Sequence, residues 1–355
     1  MKLSRHINLL FFSVTAMFAC NEKPAYNNED WSYEPMYYTV QRTTDSIRVD
    51  GDLNEESWRR AEFSPSFVDI RGGSYELPYL DTKFKLLWDD NYLYIAAVLE
   101  ENDIWATYIE RESIIFHENN FEIFLDPDMD THDYMEYEIN ALGTEWDLLM
   151  ERPYRNGGPS ITPWNFEGMK SAIYLNGTIN DHSDKDSSWQ IEIAIPFNAI
   201  ESELKNKVPA KGDYWRANFS RVQWHIEPMD RGYAKILGTN GKPLREENWV
   251  WSPTGRIDMH MPERWGYLYF ADDTSTTQVI PHPSDNTMWA LRQLFYTQRS
   301  YFEFNDEYAE DINLLGLDNA DKIELRITKN GYIGSMVDET GKKWYIRNDS
   351  KIWSD

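Results

Sequence analysis

The sequence predicts an antiparallel β-sandwich followed by a small α+β module. Three observations predict it. Between residues 38 and 270, short strand-like segments alternate with turn clusters of Asp, Asn, Gly and Pro, the spacing of an all-β sandwich. Residues 271–285 (ADDTSTTQVIPHPSD) turn polar and carry two prolines, which reads as a linker. Residues 286–355 then show one helical pattern and three short strand patterns, a separate small module.

Lys2 and Arg5 open the chain, and an apolar run over 7–18 follows, broken only by Asn8, Ser13 and Thr15. A bilayer span needs about 20 apolar residues, so this shorter run suits the central region of a secretory signal. Met17-Phe18-Ala19-Cys20 resembles the end of a bacterial lipoprotein signal. That resemblance makes 1–19 a signal peptide, Cys20 the lipidated residue and 20–37 an anchor and tether. It implies an exported chain, attached to the membrane through Cys20 in the bacterial envelope, at the outer membrane. Ordinary secretion with a spare thiol is the alternative.

Within the sandwich region, residues 83–87 and 92–99 (YLYIAAVL) flank the turn cluster Trp88-Asp89-Asp90-Asn91. The second strand is apolar on both faces, as a central strand should be. Residues 121–126 end in the turn Asp126-Pro127-Asp128, and 134–141 (YMEYEINA) alternates as their hairpin partner. Residues 189–195 alternate and stop at Pro196; 214–222 and 265–270 complete the set. A short helix is expected at 54–61, a helical turn at 196–203 and a long surface loop at 156–163. Beyond the linker, Met288, Leu291, Leu294, Phe295, Gln298 and Phe302 have helical spacing. Strands are expected at 322–329, 332–337 and 343–347, the first two joined by the Asn330-Gly331 turn.

The chain of 355 residues holds 60 acidic and 35 basic side chains, for a net charge of −25. Residues 1–19 carry two positive charges and no negative one, so their removal makes it more negative still. Such a surface argues against nucleic acid and anionic head groups as partners. A single cysteine rules out an internal disulfide, leaving stability to the core. Fifteen Trp, 22 Tyr and 16 Phe in a chain of negative mean hydropathy suit sugar recognition. A ring face matches the C–H face of a pyranose, while carboxylates and amides bond its hydroxyls.

Several ordered blocks resemble the carbohydrate-binding module family 9, in particular the family 9-like domains of exported bacterial proteins. The first, 47–58 (IRVDGDLNEESW), matches the family's opening strand, Asp50-Gly51 turn and short helix, with Asn54 placed to cap and Trp58 to pack on the sheet. The others are 85–99, 119–128 with the strand through 138–141, 189–199, 212–221, and 251–253 through 263–266. The resemblance implies a β-sandwich that binds mono- or oligosaccharides, beside glycan-degrading enzymes, in polysaccharide capture and catabolism. In the family two rings sandwich a sugar while a Glu and an Asn bond its hydroxyls. Glu122 and Asn140 fall on those polar positions, Phe116 on the first ring and Met259 near the second. Neither of these is the family's Trp. Trp105, Trp146 and Trp164 stand near enough in sequence to supply a ring, with core or loop packing as the alternative.

Other readings use the same residues. Glu122 and Glu138 are the candidate acid and base of a glycoside hydrolase, against which stands the ordinary polar outer face of an antiparallel sheet. Asp126, Asp128 and Asp130, with His132, present alternate carboxylates as calcium loops do, and the family carries structural calcium in some members. The central Gly and twelfth-position Glu of an EF-hand are missing, and a solvated hairpin turn is favoured. His117, His225 and His260 show no zinc spacing, and no other cofactor is implied. A third reading is a cell-surface adaptor whose sandwich has lost sugar binding.

Overall fold

The computed structural model describes residues 33–201, 208–230, 232–272 and 280–355. The signal segment, Cys20, most of the tether, the middle of the linker and the end of the helical turn expected at 196–203 lie outside them.

The first half of the chain contributes β1 (Tyr37–Arg42), α1 (Glu56–Arg60), β2 (Val68–Asp69), β3 (Thr82–Trp88), β4 (Tyr92–Glu100), β5 (Asn120–Asp126), β6 (Tyr134–Asn140) and β7 (Glu145–Met150). There follow β8 (Ser160–Ile161), β9 (Lys170–Asn176), β10 (Ser188–Pro196), β11 (Tyr214–Gln223), the small hairpin of β12 (Ile226–Pro228) and β13 (Tyr233–Lys235), β14 (Glu247–Val250) and β15 (Gly266–Ala271). Thirteen strands join in one sheet of order β8-β7-β6-β5-β11-β15-β1-β3-β4-β10-β9, with β14 branching from β11 and β2 pairing with β14. The branch lets the sheet curl into two layers: the start of β11 pairs with β15 and its end with β14. Phe84 of β3 and Phe219 of β11 belong to strands that do not pair, yet their ring centroids lie 4.0 Å apart across the core. Inward residues of β3, β4, β5, β6, β10, β11 and β15 form one continuous apolar cluster, the burial that drives the fold.

The expected strands 83–87, 92–99, 121–126, 134–141, 189–195, 214–222 and 265–270 are all present within a residue or two of those bounds. β4 lies between β3 and β10 and is buried on both faces. Pairing is antiparallel except at β1, which runs parallel to both β15 and β3. Parallel neighbours require a crossover, and the 43–81 segment with α1 supplies it for β3. That segment also corrects two expectations. Residues 47–49 form no strand; Ile47, Val49 and Leu53 pack with Trp58 on the outer face of β4 and β10. Asn54 does not cap α1: Glu55 takes the N-cap position with no side-chain cap bond, and the Asn54 amide donates to Asp52 at 2.6 Å. The stretch 156–163, expected as loop, contains the edge strand β8.

Trp58 does pack back onto the sheet, and Glu192 of β10 explains how firmly. Its carboxylate accepts the Trp58 indole N–H at 2.9 Å and the backbone N–H groups of Asp50 and Gly51 at 2.9 and 3.0 Å.

The C-terminal region forms α2 (Asp285–Asn305) and a four-stranded antiparallel sheet of β16 (Glu324–Thr328), β17 (Gly331–Val337), β18 (Lys343–Arg347) and β19 (Ile352–Ser354). The apolar stripe of α2 (Met288, Leu291, Leu294, Phe295) is buried between that sheet and Tyr267 on the outer face of β15. Gln298 continues the stripe as a polar staple, donating to and accepting from the Ala309 backbone at 2.9 Å. Tyr33, the first described residue, stacks on Trp289 of α2 with centroids 4.3 Å apart. Among the described residues no helix is long and apolar enough to cross a membrane.

Candidate functional site

Strand alternation decides what β5 and β6 show to the outside. Phe121, Ile123 and Leu125, with Met135, Tyr137 and Ile139, enter the core, so Glu122, Phe124, Glu136 and Glu138 point the other way. On an open sheet these carboxylates would be solvated. Here segments from both sides of the strands rise over them and leave a cavity of about 440 Å³, open to solvent, with these four residues on its floor. Glu122, Glu136 and Glu138 are 4%, 6% and 1% exposed.

Glu122 and Glu138 sit directly opposite in the β5–β6 register. The Asn120 amide reaches both, at 3.3 Å from Glu122 and 3.2 Å from Glu138. Burial pushes the Glu122 carboxyl up to about 7. Burial, and then neighbouring carboxylates, hold Glu136 and Glu138 well above the usual range. Such a floor both donates and accepts, which is what a sugar hydroxyl needs.

One wall is aromatic. Phe116 and Trp146 of β7 lie with centroids 6.2 Å apart and planes inclined by 32°, and Phe116 is 39% exposed. Ile257, Met259 and His260 line the cavity from the 245–260 segment. His260 Nδ1 and the Tyr134 hydroxyl are 2.8 Å apart, while Nε2 lies 3.8 Å from Glu136. Burial, followed by the Arg155 charge, pulls this imidazole down to about 4, so it is neutral at pH 7.

Both walls are held from behind. Glu118, 1% exposed, accepts from the Thr107 backbone N–H and hydroxyl at 2.8 Å and from the Asn140 amide at 2.7 Å. That staple fixes the segment carrying Phe116. Across the cavity, Arg155 bonds Glu263 through both carboxylate oxygens at 2.7 Å and also reaches the His260 carbonyl. The Trp265 indole donates to the Met259 carbonyl at 2.8 Å.

The structure therefore brings Phe116, Glu122, Glu138, Trp146 and Met259 together around one cavity. Asn140 is not among its lining residues. Its amide is spent on Glu118 and the Tyr108 carbonyl, and its oxygen accepts from the Leu142 and Thr144 backbone, so it positions rather than contacts. Trp105 is buried outside the lining, and Trp164 packs edge-on against Phe166 at 4.6 Å. Asn120 and Glu136 were not anticipated, although both follow from i±2 alternation with Glu122 and Glu138. His260 is a cavity wall. His225 pairs with Glu247 at 3.1 Å, and His132 with the Asp349 carbonyl at 3.1 Å.

The three aspartates at the β5–β6 turn converge: one carboxylate oxygen from each of Asp126, Asp128 and Asp130 lies within 4.8 Å of the others. All-oxygen donors of this charge fit a hard divalent cation. Glu192 forms a second acidic group with Asp50 and Glu55, but its oxygens are already committed to the Asp-Gly turn and Trp58.

Comparison with curated proteins finds no match. Among solved structures, a Bacteroides uniformis protein described as a candidate carbohydrate-binding protein aligns at 18% identity, covering 67% of this chain and 100% of its own, with a TM-score of 0.48. Two structures of a carbohydrate binding module family 9 from Caldicellulosiruptor kristjanssonii align over 100% of their length. The one in complex with cellotriose has 16% identity over 70% of this chain and a TM-score of 0.42; the one with glucose has 17%, 69% and 0.39. The family profile described as carbohydrate family 9 binding domain-like matches residues 49–212, a span that holds Phe116, Glu122, Glu138 and Trp146. Those residues thus lie within a match to the carbohydrate family 9 binding domain-like family, the same one that the ordered sequence blocks resemble.

Proposed function

We propose that the cavity over β5 and β6 binds a neutral sugar unit of a polysaccharide or oligosaccharide without cleaving it. The observation that carries this reading is the pairing of a hydroxyl-matching acidic floor with the Phe116–Trp146 wall inside the family domain. Neutrality of the sugar follows from charge. Glu122, Glu136, Glu138, Glu246 and Asp258 line the cavity against Arg245 alone among Lys and Arg, so a uronate or sulfated sugar would find a single cation to pair with among many carboxyl groups. The arrangement disfavours hydrolysis. Glu122 and Glu138 stand side by side on one floor, bridged by Asn120, whereas a glycosidase sets its two carboxyls on either side of the scissile bond.

Affinity gels and calorimetric titration with neutral and uronate polysaccharides test this. Retention is expected on a neutral hexose polymer and not on a uronate. Phe116→Ala and Trp146→Ala should each weaken it about tenfold, the loss of one stacking contact of about 1.4 kcal/mol, with melting temperatures close to wild type because both rings are half-exposed. No retention on any neutral polysaccharide would overturn the sugar reading in favour of a surface adaptor. Release of reducing ends from a retained polymer would overturn the non-catalytic one.

The site belongs, in this reading, to an exported protein tethered through lipid at Cys20 in the bacterial envelope, working beside glycan-degrading enzymes. Tethering raises the local concentration of a weak binder. Radiolabelled palmitate should enter the wild-type chain expressed in a bacterial host and not Cys20→Ala; equal labelling of the two sinks the anchor.

A further inference from the structure

We propose that a second cavity, between α2, the C-terminal sheet and the turn after β7, takes a further neutral sugar unit of the chain whose first unit lies over β5 and β6; the inference rests on the sugar reading of that first site. The cavity measures about 360 Å³, a usual size for a small-ligand site. Its rings come from the C-terminal module. Phe302 of α2 is 39% exposed, and Tyr308 lies beside it with centroids 4.7 Å apart and planes inclined by 35°. The observation that points to a ligand is a pair of orphaned donors. Tyr332 of β17 is 1% exposed and its hydroxyl has no hydrogen-bond partner; the Arg155 Nε is buried without one as well. Both residues line this cavity. A buried donor left unpaired is costly, and a sugar hydroxyl can accept from either.

Charge selects a neutral ligand here too. Arg155 and Arg299 line the cavity with Glu303 and Asp349, and each is already paired: Arg155 with Glu263 at 2.7 Å, Arg299 with Glu303 at 3.4 Å, Asp349 with Arg347 at 2.9 Å. The two cavities adjoin. Tyr154, Arg155 and Asn156 form a single helical turn. Tyr154 lines the first cavity and the next two residues line the second, and consecutive Cα atoms stand only about 3.8 Å apart. A sugar chain leaving the first cavity therefore meets the second after crossing one turn. Asn156 holds that turn to the C-terminal module, donating to the Ser350 hydroxyl at 2.8 Å and accepting from Arg299 at 3.0 Å. The lining residues other than Arg155 and Asn156 lie beyond residue 212, where the family match ends, so the added subsite belongs to the C-terminal module.

The test is calorimetric titration of the full chain with oligosaccharides of about two to eight units, hydrolysed from the neutral polymer that the affinity gels retain. Wild-type affinity should rise about tenfold between the short members and those long enough to cross the turn. Phe302→Ala should remove that gain and leave the short members unchanged. Tyr332→Phe should weaken the long members about fivefold. The melting temperature of the free Tyr332→Phe protein should not fall, because the hydroxyl it loses has no partner there. Equal affinity along the ladder, with Phe116→Ala still weakening every member, would overturn the second subsite and leave the first standing. Length dependence unchanged in both variants would put the extra units elsewhere and overturn it too. Losses on short members in Phe302→Ala would make that residue a support of the first cavity, and a lower melting temperature in Tyr332→Phe would give the hydroxyl a structural partner; either result overturns the proposal. Retention of no neutral polymer at all overturns the first site, and this one with it.

Discussion

Replacing Arg221 with Met should lower the unfolding free energy by about 3–5 kcal/mol, the usual cost of breaking a buried ion pair from one side. Arg221 is 1% exposed and extends from β11 to the opposite layer. There its guanidinium donates to Glu101 at 2.9 Å, the Glu100 carbonyl at 2.8 Å and the Thr82 hydroxyl at 3.1 Å, and on its own strand to Gln223 at 2.9 Å. Methionine fills much of the volume but removes one donor from each of those acceptors and leaves Glu101 without its cation. Urea unfolding would measure the loss. Adding Glu101→Gln to the variant should recover part of it, because the stranded charge goes too. A single-variant loss under 1 kcal/mol would mean that water replaces the guanidinium there.

Gly51→Ala should cost about 3–4 kcal/mol, the second large effect. Gly51 has φ +85°, where a side chain costs roughly 1–2 kcal/mol, and an added Cβ would lie 2.7 Å from the backbone carbon of Ile173 and 2.8 Å from the Tyr174 nitrogen. Backbone cannot step aside as a side chain would, so the turn must move and strain the Asp50 and Gly51 bonds to Glu192. Gly157→Ala isolates the conformational part: its φ is +73° with nothing within 4 Å of the added carbon, and the expected loss is about 1 kcal/mol. Chemical denaturation of the two variants side by side checks the difference, and equal losses would refute the steric argument.

The long strands were legible because period-two alternation and turn residues are local signals. Asp89, Asn91 and Pro196 mark boundaries that the structure keeps at β3, β4 and β10. β2, β8 and β14 were not, since strands of two to four residues leave no period to detect. β1 is longer, but its place between β15 and β3 depends on partners far along the chain. Asn140 shows how a correct strand assignment still misleads about a site. It ends β6 on the expected strand, and the hairpin N–H groups beside it take its side-chain oxygen before any ligand can.

Sequence by itself determined which residues alternate outward on β5 and β6, that Glu122 and Glu138 share a face, that three aspartates recur at the following turn, and the family those blocks resemble. Only the tertiary structure decided that this outer face is roofed. Phe116, Trp146 and Met259 meet because segments distant in the chain close over the same strands, and that closure takes water from the carboxylates. Burial is set by these distant segments, so it turned an ordinary polar sheet face into an acidic cavity that no local pattern could announce.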